Sequence, residues 1–191
     1  MAGYIGSKAS VTQVDGYNRT EADDRYANIT GDTFTGPVTA TTLRQKNSFA
    51  FRAYQTASQV ISNGVFTKVE FNGEDFDVGS AYDNSTSYRF APNVAGYYQL
   101  TAKVLFMATS LDRLIVRITK NGAEAGSYGR NCDFTGLSSP FFYVTVTDLM
   151  YLNGSSDYAD VYAWVSGSGT LLVGSNDANT SVFTGLLVEE A

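Results

Sequence analysis

From residue 47 onward the chain reads as apolar runs of strand length separated by turn chemistry, with no long stretch of 3.6-residue periodicity. The pattern predicts strands over 49–54, 67–71, 97–105, 114–119, 141–152, 158–165, 170–173 and 181–188, broken by turns such as Asn72-Gly73, Asn121-Gly122 and Asn153-Gly154. This many short strands at this spacing imply an all-β sandwich. The clearest hairpin spans 114–124, where Asn121-Gly122 supplies the positive φ angles of a tight type I′ turn. Alternation there predicts Arg117 and Thr119 facing outward and Val116 and Ile118 inward.

The closing run is apolar on both faces. Phe183, Gly185 and Leu187 share one side, and Val182, Thr184, Leu186 and Val188 share the other, so one face is expected to be core and the other an interface. Residues 1–46 follow a different pattern: polar, poor in large aliphatics, and unable alone to bury enough apolar surface to offset chain entropy. They are predicted to be an extended segment that needs a partner, carrying one short helix over 19–26 with Thr20 as N-cap and Asp23 three residues on.

Composition narrows the function. Aromatics reach 14% and charged residues only 17%, a mixture enriched in strand formers. The formal charge of −6 opposes non-specific attraction to phosphate backbones, so nucleic acid is not an expected partner. There is no His, which excludes Ser-His-Asp and Cys-His catalysis in their usual form. The single Cys132 has no partner for an intrachain disulfide and reads as a small hydrophobe rather than a nucleophile. Neither a secretory leader nor an apolar run long enough to span a bilayer is evident, so synthesis in the producing cell's cytoplasm, without membrane insertion, is expected. Glu70, Glu74, Asp75 and Asp77 cluster beside a predicted turn, with alternation placing Asp75 and Asp77 on one face. They read as a solvated acid group; a calcium ligand set and a hydrolytic carboxylate pair are the alternatives. No metal site, cofactor or catalytic residue is assigned.

Two short motifs lie in the N-terminal segment, Ala22-Asp23-Asp24-Arg25-Tyr26 and Gly31-Asp32-Thr33-Phe34-Thr35-Gly36-Pro37. In this order they resemble phage tail-fibre sequences, which implies that the segment attaches to another virion protein, with Tyr4, Ile5, Arg25 and Tyr26 as candidate attachment residues. About 45 extended residues reach at most roughly 150 Å, which fits a short fibre or tip rather than a long shaft.

In the globular part, Phe66 precedes Asn72 by six positions, and Phe90-Ala91-Pro92-Asn93-Val94-Ala95-Gly96-Tyr97-Tyr98-Gln99-Leu100 follows. Thr119-Lys120-Asn121-Gly122 and Ser181-Val182-Phe183-Thr184-Gly185-Leu186-Leu187 complete a series that resembles the complement globular-head family of the tumour-necrosis-factor-like jelly rolls. The series departs from that family in the insertion over 79–87 and in Leu100 where a Phe is usual. The resemblance implies a jelly-roll sandwich over 47–191 assembled as a homotrimer, with Phe183, Leu187 and Tyr98 as candidates for the threefold axis. The alternative for Phe183 is an ordinary place in the intrachain core.

Polar, aromatic-bearing loops are the usual ligand surface of a rigid β scaffold. The candidates are Tyr82, Asp83 and Asn84 in 79–88, Tyr128 and Asn131 in 127–135, and Asn176 in 174–180; each segment also reads as a solvated connector. The expected function is that of a bacteriophage virion structural protein, a short tail fibre or tip that binds a host-surface glycan or protein. A capsid or baseplate accessory trimer and, from the enzyme class, a polysaccharide depolymerase are the alternatives.

Overall fold

Alternating burial along the long strands organises the fold. In β7 (Ala95–Met107), Tyr98, Leu100, Ala102, Val104 and Phe106 are buried while Tyr97 and Gln99 between them are exposed. The same two-residue rhythm runs through β10 (Phe141–Asn153) and the first half of β13 (Val182–Glu190). The structure, a computed structural model, describes residues 49–107, 110–133, 141–168, 172–174 and 180–191. The chain divides between Arg44 and Gln45, and every described residue belongs to the second unit; the helix expected over 19–26 lies outside the described residues.

Two sheets face each other. The first has seven strands: β2 (Gln59–Val60), β12 (Leu172–Val173), β7, β13, β1 (Ala50–Tyr54) and β4 (Gly73–Val78) in order, with β10 along the other side of β7. The second runs β5 (Tyr82–Asp83), β6 (Arg89–Phe90), β11 (Ala159–Ser168), β8 (Ser110–Lys120) and β9 (Ala123–Asp133), with β3 (Thr67–Lys68) also paired to β11. All pairings are antiparallel, so each sheet can cover the core with one face and present the other outward.

The core between them is strongly aromatic. Phe51 of β1 stacks on Phe90 at 4.6 Å and on Tyr82 at 5.0 Å, and meets Phe183 edge-on at 5.0 Å. Phe71 and Tyr98 extend the cluster through Phe183 and Phe90. Gly185 is the cross-strand partner of both Phe51 and Leu100, and a Cβ built there would lie 2.5 Å from the Phe51 ring. Glycine is therefore required at 185 for close approach.

The hairpin expected over 114–124 is present: Asn121 (φ 57°) and Gly122 (φ 67°) turn the chain between β8 and β9. The Asn121 amide also clamps the tip, accepting from Tyr158 N at 2.9 Å and donating to Asp157 at 2.8 Å. Other expectations are corrected. Thr119 shares the outward face with Arg117 as expected but is not solvated there; it is buried and donates to the fully buried Asp160, which Lys68 Nζ meets at 2.7 Å. The turn expected at Asn72-Gly73 is not formed, because Gly73 already pairs with Tyr54 at the start of β4. A register shift between Arg52 and Ala53 separates the acids of β4: Asp75 bridges Arg52, whereas Asp77 lies opposite Phe51.

Truncation of Phe183 to Ala is expected to cost about 3–5 kcal/mol in urea unfolding while leaving the association state unchanged by sedimentation. Dissociation at unchanged stability would return Phe183 to the threefold axis. Gly185→Ala, which overpacks the Phe51 contact, is expected to cost about 1–3 kcal/mol in the same assay.

Candidate functional site

The outward face of the seven-stranded sheet is the most distinctive surface among the described residues. Of the large apolar side chains that remain exposed, all but Val65 lie on strands of this sheet. One cross-strand row runs Val78, Ala50, Leu186, Gln99, Leu149, with Leu186 47% and Leu149 56% exposed. The next row holds Phe76, Arg52, Thr184, Thr101 and Thr147, the last two sharing a hydroxyl hydrogen bond at 2.9 Å. Tyr97 and Tyr151 pack at 5.5 Å toward one end of β10, and Tyr143, beneath Lys103 at 5.5 Å, lies toward the other. A shallow depression of about 210 Å³ opens among Ala50, Arg52, Phe76, Gln99, Thr184 and Leu186. The centre is thus mainly apolar and hydroxyl-bearing, with Arg52, paired to Asp75, as its charged member; large exposed apolar patches of this kind commonly mark interaction surfaces.

The residues predicted for the threefold axis lie on the opposite face of the same strands. Phe183 and Tyr98 have no exposed surface and Leu187 is 7% exposed within the single chain. Their own protomer covers them, so they have nothing left to present to another copy. Tyr98 donates its hydroxyl to Val94 O at 2.8 Å, and burial, with Glu190 nearby, pushes that phenol up to about 12. The outward-facing large side chains of this sheet are instead Leu186, Leu149, Tyr97 and Tyr151.

The predicted ligand loops fare differently. Tyr82 is not a loop contact; it is buried in the aromatic cluster, its hydroxyl donating to Phe71 O at 3.2 Å and its amide to Asp77 Oδ2 at 2.8 Å. Asn84 is half-buried and reaches Glu74 at 3.4 Å. Tyr128 and Asn131 are in strand β9, opposite Ile118 and Ile115, rather than in a loop. Asn176 lies outside the described residues, as do Tyr4, Ile5, Arg25 and Tyr26. No three His, Cys, Asp or Glu side chains among the described residues are placed to hold a metal ion.

Asp83 organises the 83–87 turn. Its Oδ1 accepts from Ser85 N and Thr86 N, both at 3.0 Å, and its Oδ2 accepts from the Ser87 amide at 3.0 Å and hydroxyl at 2.5 Å. These donors, the Ser87 hydroxyl foremost, hold the carboxyl well below the usual range. Glu74 across the turn is shifted upward, first by burial and then by Asp77.

Comparison with known proteins places the fold. No protein-family model and no curated protein matches the chain. Among solved structures, murine APRIL aligns at TM-score 0.55 with 12% identity, covering 74% of this chain and 100% of its own. The globular domain of zebrafish complement 1qA (19% identity, 75% of this chain, 99% of its own) and the PRD1 vertex protein P5 (19% identity, 74% and 96%) each align at TM-score 0.49. The described part of the chain is thus a two-sheet jelly roll similar in fold to APRIL.

The low folded-state pKa of Asp83 fixes a sign. Its stabilising contribution is present above the ordinary carboxylate pKa of about 3.9 and is lost as pH falls through the lower folded-state value. The stability difference between wild type and Asp83→Asn, measured by urea unfolding, is therefore expected to be largest near neutral pH and to shrink below about pH 4. A difference that is constant with pH would disprove the assignment.

Proposed function

We propose that the chain is a bacteriophage virion structural protein whose jelly-roll head assembles as a homotrimer and binds a receptor on the host surface without catalysis. The observation that carries the assembly is the outward apolar face of the seven-stranded sheet, centred on the Val78–Ala50–Leu186–Gln99–Leu149 row. Fully burying a Leu is worth about 1.5–3 kcal/mol, and a threefold arrangement repeats each gain in every copy. The virion attachment rests on the resemblance of the motifs at 22–26 and 31–37 to tail-fibre sequences, and in this reading the N-terminal segment is the anchor. Threefold repetition of a weak receptor site supplies avidity.

Sedimentation of the full chain is expected to give a trimer, and the joint change Leu149→Lys with Leu186→Lys a folded monomer. A monomeric wild type, or a variant that remains trimeric, would overturn the assembly face. Purified head is expected to compete with virions for host-cell adsorption, and labelling in electron micrographs is expected to place the chain at the tail. Labelling on the capsid or baseplate without competition would favour an accessory trimer instead.

A further inference from the structure

Strand β10 closes one side of the seven-stranded sheet. It pairs with β7 over all 13 of its residues, and among the described residues no strand pairs with its other edge. An open edge of this length presents a row of backbone N–H and C=O groups to any strand of matching pattern. The sequence over 141–153 makes it a strong template. It is rich in β-branched and aromatic residues, contains no Pro or Gly, and carries one charged side chain, Asp148.

Asp148 stands on the inward side of the strand. Its cross-strand partner is the buried Leu100, and the residues two and four positions away along β10, Val144, Val146, Met150 and Leu152, are all in the core. It is an acid in an otherwise apolar row. The residue is half-buried, and its Oδ2 is buried with no hydrogen-bond partner. Burial pushes the carboxyl up from its ordinary value, opposed by the amide of Leu149. A carboxylate so placed costs the single chain stability. Its benefit lies at the open edge, where a strand laid along β10 would enclose the group further without bringing it a partner.

The strand that matches β10 best is β10 of a second copy. Paired antiparallel about Thr147, the two would set Tyr143 opposite Tyr151 and Val144 opposite Met150, aromatic on aromatic and apolar on apolar. Asp148 is the position that spoils the match, and such a pair would bring two of these carboxylates onto the core side of one seam. We propose that Asp148 guards this edge, its inward charge keeping β10 from pairing with β10 of another copy, so that copies meet through the outward face of the sheet rather than along its edge.

In the full chain, Asp148→Val completes the apolar row and Asp148→Asn removes the charge alone. Each is expected to unfold in urea at the wild-type midpoint or above it. The folded variants are expected to sediment as species larger than the wild-type assembly and to bind thioflavin T severalfold more strongly. Asp148→Glu keeps the charge, and Asp112→Asn removes an exposed acid elsewhere; both are expected to sediment as wild type. Leu186→Lys added to Asp148→Val alters the outward face and leaves β10 intact, so the larger species are expected to persist. Wild-type sedimentation by folded Asp148→Val at every concentration, a lowered urea midpoint in Asp148→Asn, or loss of the larger species on adding Leu186→Lys would overturn the proposal. Each variant is read against the wild-type assembly, so a monomeric wild type would sink the trimer reading and leave this test standing.

Discussion

The contact between the Phe51 ring and Gly185 is the constraint on which the rest of the sandwich depends. Phe51 belongs to the first sheet, yet its ring stacks on Phe90 and Tyr82 of the second, so it joins the layers. It reaches that position because its cross-strand neighbour has no side chain. With Phe51 seated there, Phe183 and Tyr98 are drawn in around it, and every inward position of β13 and β7 is committed to the core of one chain.

That commitment turns the remaining apolar residues outward. An antiparallel sheet with one face packed ordinarily shows water a polar face, yet here β4, β10 and β13 carry Phe76, Tyr143, Leu149, Tyr151 and Leu186 on the outside. The second sheet solves its exterior differently. Arginine and lysine lie over several of its aromatics, and the buried Asp160 is paired with Lys68. One exterior is largely apolar, the other amphipathic.

Much of this was legible in the order of residues. The long strands β7, β8, β10, β11 and β13 were each marked by apolar runs, and Asn121-Gly122 marked its hairpin. Strand β9 was missed because Ala123–Asp133 is small, polar and charged, with no β-branched residue, and β8 offers it the ladder that makes it a strand. Strand β4 was missed because its acids read as a solvated turn, and β5 and β6 are too short to carry a periodic signal. The outward face of β10 was available to the same two-faced reading applied to 181–188, since apolar residues occupy both its odd and even positions.

By itself the sequence determined that the chain past residue 47 is an all-β sandwich, because two-residue alternation and turn chemistry are local properties. It determined equally that the closing strand is apolar on both faces. Which face is core was decided only in three dimensions, since alternation separates two faces without saying which one meets Phe51. Tyr82 shows the same limit: a tyrosine beside Asp, Asn and Ser reads as a loop ligand until Phe51 and Phe183 of the facing sheet pack over it. The stacking of Arg89 and Arg117 on aromatic rings also belongs to the tertiary structure, because it brings together residues from separate strands that no spacing along the chain connects.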